Sequence, residues 1–101
     1  LVKEGVTGIF AMNDLMAAGV YDYAVKHNLT IGKDLSVIGF DNREICAAFT
    51  PALSTMALPL KKMGIIAADY LIQKIEHPEP SHQDEYKIPC EILKRKSVCR
   101  L

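Results

Sequence analysis

The spacing of two short apolar runs is the feature that most constrains how this chain can fold. Residues 7–12 (TGIFAM) and 35–40 (LSVIGF) have the length and composition of buried strands. The segment 14–27 between them suits one helix with a broad apolar face, which comprises Leu15, Ala18, Val20, Tyr21, Ala24 and Val25. Because parallel strands require a helical crossover of this length, the pattern predicts a right-handed β-α-β unit with two parallel strands.

After the second run, the sequence predicts a third strand and a long helix. Residues 42–53 form a predicted loop broken by Pro51, and residues 54–57 (STMA) form a predicted strand. Residues 60–77 carry apolar side chains at spacings of three, four, seven, eight and twelve. This is the stripe of an amphipathic helix, and it consists of Met63, Ile66, Ala67, Tyr70, Leu71 and Ile75.

The last part of the chain predicts a surface loop and a final strand. Residues 78–85 (PEPSHQDE) are polar and interrupted by prolines. Residues 86–94 (YKIPCEILK) predict a strand in which Pro89 lacks a ladder donor, which indicates a sheet edge or a crossing point. The order of elements therefore predicts an α/β fold with a parallel, Rossmann-like sheet.

Composition and charge exclude several classes of protein. A chain of 101 residues, half of them apolar, has the composition of one α/β unit or less. Lys plus Arg equals Asp plus Glu at 12 each, so the chain offers no basic nucleic-acid surface. No apolar run approaches ~18 residues and no secretion signal is visible, so we expect a cytoplasmic protein without membrane contact. The chain has three cysteines without paired spacing, which we expect to be reduced thiols: Cys46, Cys90 and Cys99.

Polar side chains follow the first two predicted strands at the point where each strand ends. Asn13 follows the first strand and Asp41 follows the second. In an open parallel sheet, ligands bind outside the carboxyl ends of the strands, and ends of neighbouring strands lie about 5 Å apart, or about 10 Å if one strand intervenes. A carboxylate accepts through both oxygens and an amide donates and accepts, a combination that suits the hydroxyls of a small polyol better than an anion.

Two structural interpretations of the same residues remain open from spacing alone. Asn13 can serve only as the cap of a helix that opens at Asp14, and Asp41 can serve only as an Asx-turn at the strand end.

The sequence contains few motifs that are typical of enzymes. No nucleophilic triad motif, glycine-rich phosphate loop or metal-ligand cluster occurs, so we expect no enzyme activity, cofactor or metal. A phosphotransfer enzyme would use Asp14 or Asp41 as phosphoacceptor, but no second acid adjoins Asp41. The three histidines are expected on the surface: His27, His77 and His82.

The loop CAAFTPAL, residues 46–53, is more apolar than a surface loop should be. Phe49 and Leu53 would form an exposed patch on an isolated domain. Packing beneath the sheet and contact with another subunit are the two interpretations of this loop.

Four motifs in order resemble the last third of a lactose/galactose repressor (LacI/GalR) family regulator. They are TGIFAMNDLMAAGV, IGKDLSVIGFDN, TPALSTMALPLKKMG and IPCEILKRKSV, which together run from Val6 to Val98. The resemblance implies a fragment of a periplasmic-binding-protein-like (type I) fold with two lobes hinged around a ligand. It also implies that this chain is the C-terminal portion of an effector-binding domain, without the helix-turn-helix that binds DNA.

The resemblance implies a division of the chain between the two lobes. Residues 1–57 and 90–101 would belong to the C-terminal lobe, and the helix at 60–76 would pack on the other lobe. The chain would cross between lobes near residues 57–59 and 88–89.

The resemblance also implies roles for particular residues. Family members that bind sugars use the positions of Asp41 and Asn13 to bind ligand hydroxyls, and the position of Leu60 for an apolar wall. The acid at Asp14 would be structural. A family dimer contact at 46–58 favours the subunit-contact interpretation of Phe49.

The resemblance further implies a bacterial transcription regulator, a homodimer that binds operator DNA only through a domain outside this chain. Its effector would be a sugar or sugar derivative, although some members respond to a sugar phosphate, a purine or a partner protein. A periplasmic-type sugar-binding transport protein is the alternative within the same fold.

Overall fold

The computed structural model describes residues 2–79 and 85–100. The chain divides into two compact units, of which the first contains Leu1–Ala57 and Glu91–Leu101 and the second contains Leu58–Cys90. The divisions agree with the two places at which the family resemblance puts lobe crossings.

The first unit is a four-stranded sheet with two helices. After a 3₁₀ turn at Val2–Glu4, its elements are β1 (Gly8–Phe10), α1 (Asp14–Lys26), β2 (Ser36–Asp41), α2 (Ile45–Ala48), β3 (Ser54–Ala57) and β4 (Glu91–Leu93). The strand order is β1-β2-β3-β4, with β1, β2 and β3 parallel and β4 antiparallel to β3. The predicted parallel β-α-β unit is confirmed, and so is the edge position of the last strand.

Helix α1 packs on the sheet through a narrower face than the sequence predicts. Its buried positions recur every three or four residues and are Asp14, Ala17, Tyr21 and Ala24. The small side chains of Ala17 and Ala24 let the helix approach the sheet closely, where Leu35 and Val37 are fully buried. The predicted face was wrong at Leu15 and Val25, which are 54% and 77% exposed because they flank this stripe.

The segment predicted as a loop at 42–53 contains a short helix, α2. Its residue Cys46 is fully buried, and so is Leu53. Phe49 stacks on Tyr21 with ring centroids 4.5 Å apart and packs against the core. The structure therefore supports packing as the interpretation of this loop, because Leu53 is fully buried and the partly buried Phe49 packs against the core. Contact of this loop with another subunit stays a prediction.

The final strand is shorter than predicted. Residues 85–90 have no regular structure, and β4 begins only at Glu91, beyond Pro89, which cannot donate to a ladder. After β4, Ser97 packs within the same unit, where its Oγ donates to the carbonyl of Val37 at 2.6 Å and accepts from Ser54 N–H at 2.7 Å. Ser97 thus joins the start of β2 to the start of β3.

The second unit is built around α3 (Leu60–Glu76), whose bounds agree with the prediction. No residue of α3 is buried. Tyr70 meets Tyr86 edge to face, with ring centroids 5.6 Å apart. The middle of the predicted loop at 78–85, with His82, lies outside the described residues; His27 and His77 are exposed as predicted.

Candidate functional site

The carboxyl edge of the sheet brings the predicted polar residues into one neighbourhood. β1 and β2 are direct neighbours, and the N–H of Ala11 donates to the carbonyl of Ile38 at 2.8 Å just past the end of β1. Asn13 lies two residues beyond Ala11, and Asp41 lies three residues beyond Ile38. Adjacent strands run about 5 Å apart, so the two residues share the same end of the same strand pair.

Asn13 caps helix α1, as one of the two structural interpretations predicts. Its backbone is extended (φ −153°), and its Oδ1 accepts from the N–H of Met16 at 2.8 Å. The cap uses the amide oxygen only. The Nδ2 group, on a half-buried side chain, remains as a donor at the carboxyl edge.

Asp41 is the last residue of β2, and its conformation is unusual. Its φ is +107° and that of Asn42 is +57°, so two consecutive non-glycine residues lie at positive φ. An Asx-turn would require the Asp41 side chain to accept from Arg43 N–H, but that group donates to Asp14 Oδ2 at 2.7 Å. Throughout residues 2–79 and 85–100, no group forms a hydrogen bond or ion pair with the Asp41 carboxylate, which is partly exposed. The Asx-turn interpretation is wrong.

Asp14 is a buried carboxylate that joins three elements. Its side chain has no exposed surface, and its Oδ1 accepts from Thr55 Oγ1 in β3 at 2.6 Å while Oδ2 accepts from Arg43 N–H after β2. Burial acts to raise its pKa, but hydrogen bonds from Thr55, Cys46 and the backbone of Arg43 outweigh burial and hold the pKa of Asp14 below its usual value. Asp14 is therefore structural, and an inaccessible carboxylate cannot serve as a phosphoacceptor.

The turn after Asp41 is held by side chains from two further elements. Asn42 N–H donates to Thr55 Oγ1 at 3.3 Å. The guanidinium of Arg95 donates through Nη2 to Asn42 Oδ1 at 2.9 Å and through Nη1 to the carbonyl of Leu53 at 2.8 Å. Asp41 thus lies on a turn in which the backbone N–H groups of Asn42 and Arg43 and the side chain of Asn42 are all hydrogen-bonded within the protein.

Leu60, the third predicted ligand-binding residue, lies in the second unit as the first residue of α3. Its side chain is 64% exposed and lines a shallow depression with Leu58, Ile65 and Ile66. Leu60 thus contributes an accessible apolar surface within its own unit.

Sequence reasoning missed Thr55 and Arg95. Both hold the turn after Asp41 through hydrogen bonds, but neither presents a polar group of its own at the carboxyl edge. In the sequence, Asn42 indicated a turn at positive φ, because Asn adopts positive φ more readily than most residues and here follows a strand end. The roles of Thr55 and Arg95 depend on contacts across 13 and 53 positions of sequence, which spacing does not reveal.

Two structural features are absent from the described ranges. Residues 2–79 and 85–100 contain no group of three or more side chains able to hold a metal ion. Within the same ranges, no helix is both long and apolar enough to span a bilayer.

Comparison with known proteins identifies the family. The periplasmic binding protein-like domain matches residues 2–98. The NTD biosynthesis operon regulator NtdR of Bacillus subtilis is 33% identical over 97 residues, which are 96% of this chain and 30% of that protein. The chain therefore spans about a third of the length of this curated relative.

Two solved structures have the same fold. A LacI family transcriptional regulator from Enterococcus faecium with bound ribose superposes with a TM-score of 0.81 at 36% identity, over 94% of this chain and 35% of that one. The lac repressor dimer bound to operator and the anti-inducer ONPF superposes with a TM-score of 0.86 at 27% identity, over 98% of this chain and 35% of that one. The resemblance drawn from the four sequence motifs is confirmed: this chain belongs to the periplasmic-binding-protein-like domain family and, through its relatives, to the LacI family.

Proposed function

We propose that the intact protein is a LacI-type transcription regulator in which Asp41 and Asn13 bind the hydroxyls of a small sugar. The observation that carries this proposal is the Asp41 carboxylate, which is partly exposed, held on an ordered turn and unpaired within the described part of the chain. A partly exposed carboxylate at a strand end without a protein partner can accept hydrogen bonds from a ligand.

The two side chains offer complementary hydrogen-bonding groups. Asp41 accepts through two oxygens, and Asn13 donates through Nδ2 because its oxygen is used by the helix cap. Adjacent sugar hydroxyls can donate to the first and accept from the second. Within the second unit, Leu60 offers an exposed apolar side chain of the kind that packs on the carbon face of a sugar.

The turn carries both signs of charge. Asp41 brings one negative charge, the guanidinium of Arg95 is engaged by Leu53 and Asn42, and the side chain of Arg43, two residues after Asp41, is exposed. The choice between a neutral sugar and a sugar phosphate is therefore made by measurement with both kinds of ligand.

Regulation of DNA binding requires parts of the protein beyond this chain. We infer that the intact protein is a cytoplasmic homodimer that binds operator DNA through a separate domain, and that a sugar shifts its operator affinity by a coupling free energy of about 1–3 kcal/mol. Support comes from the named relatives, which are regulators, and from the lac repressor structure, which is a dimer on operator.

Isothermal titration calorimetry of the intact protein tests the site. The panel contains D-ribose, lactose, a sugar phosphate and a purine base. We expect at least one neutral sugar to bind, and Asp41→Asn to weaken that binding by about 1–3 kcal/mol, because the amide keeps the shape but loses the charge that strengthens two hydrogen bonds. Unchanged affinity in Asp41→Asn would rule out the site assignment.

Asp22→Asn provides the matched control for this experiment. Asp22 lies on the exposed side of α1, where it pairs with Lys26 at 2.7 Å, so its substitution removes the same charge away from the carboxyl edge. Sugar affinity should be unchanged in this variant. Operator binding by the intact protein, measured with and without the sugar, separates a regulator from a transport-type binding protein.

A further inference from the structure

The turn that carries Asp41 is strained and needs to be held in place. Asp41 and Asn42 both lie at positive φ, a conformation that costs non-glycine residues free energy and persists only where surrounding contacts impose it. The direction of the Asp41 carboxylate therefore depends on the contacts of its neighbours and not on contacts of its own.

Three side chains supply those contacts. Thr55 accepts from the backbone of Asn42, and Asp14 accepts from the backbone of Arg43. Arg95 alone, among the described residues, binds the side chain of Asn42, and its second nitrogen binds the carbonyl of the fully buried Leu53. One planar guanidinium thus ties the turn after β2 to the chain just before β3.

We propose that Arg95 is a positioning residue for the ligand-binding carboxylate of Asp41, an inference that rests on the proposed function of that carboxylate. Arg95 fixes Asn42 at its αL conformation, and the fixed turn directs Asp41 outward at the carboxyl edge. Arg95 does not touch the ligand, because both nitrogens that face the turn are engaged within the protein.

The geometry requires an arginine at this position. The two acceptors, an amide oxygen and a carbonyl oxygen, lie 2.9 and 2.8 Å from two different nitrogens of one guanidinium. A lysine ammonium on a flexible stem has no planar fork to match two separate acceptors at once. Arg95→Lys should therefore restore only part of what Arg95→Met loses.

Hydrogen exchange of the intact protein, measured by mass spectrometry on peptides spanning residues 40–45, tests the positioning role without any ligand. In Arg95→Met, amides of this turn should exchange about tenfold faster than in the unchanged protein, with Arg95→Lys between the two. Lys96→Met is the control, since Lys96 is an exposed cation next to Arg95 whose substitution removes the same charge. Equal exchange in Arg95→Met and Lys96→Met would overturn the proposal.

Affinity for D-ribose, or for the neutral sugar of the panel that binds most tightly, provides the second readout. Arg95→Met should weaken binding about five- to tenfold in fully folded protein, whereas loss of a purely structural contact would lower the unfolding midpoint and leave affinity unchanged. In an Asp41→Asn background the same substitution should have a much smaller effect, because Arg95 acts through that carboxylate. Full additivity of the two effects would contradict a positioning role.

These outcomes separate failure of the inference from failure of the proposed function. If no sugar binds the unchanged protein, the proposed function is wrong, and the exchange measurement still decides whether Arg95 orders the turn. If a sugar binds and Asp41→Asn weakens it but Arg95→Met does not, the proposed function stands and the positioning role is wrong.

Discussion

At the residue scale, a single buried carboxylate organises the polar edge of this sheet. Asp14 accepts from β3 and from the turn after β2 while it opens helix α1, so one side chain fixes three elements that converge at the site. Sequence reasoning predicted Asn13 and Asp41 as ligand-binding residues from the family resemblance and from their position, because strand ends in a parallel sheet meet at one edge. It could not show that Asp14 holds the backbone group that an Asx-turn at Asp41 would need, since a contact across 29 positions has no local signature.

Substitution of Asp14 tests this role through stability and its pH dependence. Asp14→Asn should lower the free energy of unfolding by about 2–3 kcal/mol at pH 7, because the amide loses the charge and replaces one of the two accepting oxygens with a donor that faces another donor. The folded-state pKa of Asp14 lies below its unfolded value, so the charge contributes stability fully above about pH 4 and loses it as pH falls through the folded pKa.

The difference between the unchanged protein and Asp14→Asn, measured by chemical denaturation from pH 7 to pH 2, isolates that contribution. We expect the difference to shrink as the pH is lowered below about 4. A difference that stays constant over this range would show that the charge of Asp14 does not stabilise the fold.

At the element scale, the pattern of apolar residues predicted where helices and strands lie better than it predicted which face of a helix is buried. α1 and α3 begin where expected, because Asn13 provides a cap and Pro59 precedes the apolar stripe of α3. The buried face of α1 was harder to predict, since it consists of small residues and an aspartate and not of the larger Leu15 and Val25. The periodicity of apolar residues shows which side chains are hydrophobic. Close packing of α1 on the sheet, however, requires side chains that are small.

Substitution of Gly39 tests how closely α1 and the sheet approach each other. A Cβ at Gly39 would overlap Asp14 Oδ1 and lie 3.0 Å from Leu53 Cδ2. Gly39→Ala should therefore lower the free energy of unfolding by about 2 kcal/mol, measured by denaturant titration, because neither neighbour has room to move within a packed core.

The matched control for Gly39→Ala is Gly19→Ala. Gly19 lies within α1 with open space around its would-be Cβ, so an alanine there should stabilise the protein by about 0.5–1 kcal/mol. Opposite signs for the two substitutions would support close helix-to-sheet contact at Gly39. Equal effects would refute it.

At the scale of the whole molecule, the first unit has a core, whereas no residue described in the second unit is buried. The first unit buries Leu35, Val37 and Leu53 completely, whereas no residue of α3 in the second unit is buried. The apolar stripe of α3 predicted a helix correctly. Such a stripe indicates that the helix packs against another surface, but it does not indicate which surface that is.

Hydrogen exchange of the 101-residue chain should therefore differ sharply between units. Amides of α3 should exchange at close to the rate of an isolated peptide, because a helix without buried contacts is marginal in water. Amides of β2 and of the buried side of α1 should be protected by about the full free energy of unfolding. Comparable protection in α3 and β2, read by NMR, would show that the second unit has stability of its own.

The position of Ser97 has a consequence for how this protein is made. Ser97 closes the sheet between Val37 and Ser54, yet it lies 43 residues after Ser54 in the chain, with the whole of the second unit between them. A ribosome therefore completes the second unit before it synthesises the serine that completes the first. The sheet must remain unfinished throughout that interval, so the nascent chain exposes an open lobe to chaperones until its last strand emerges.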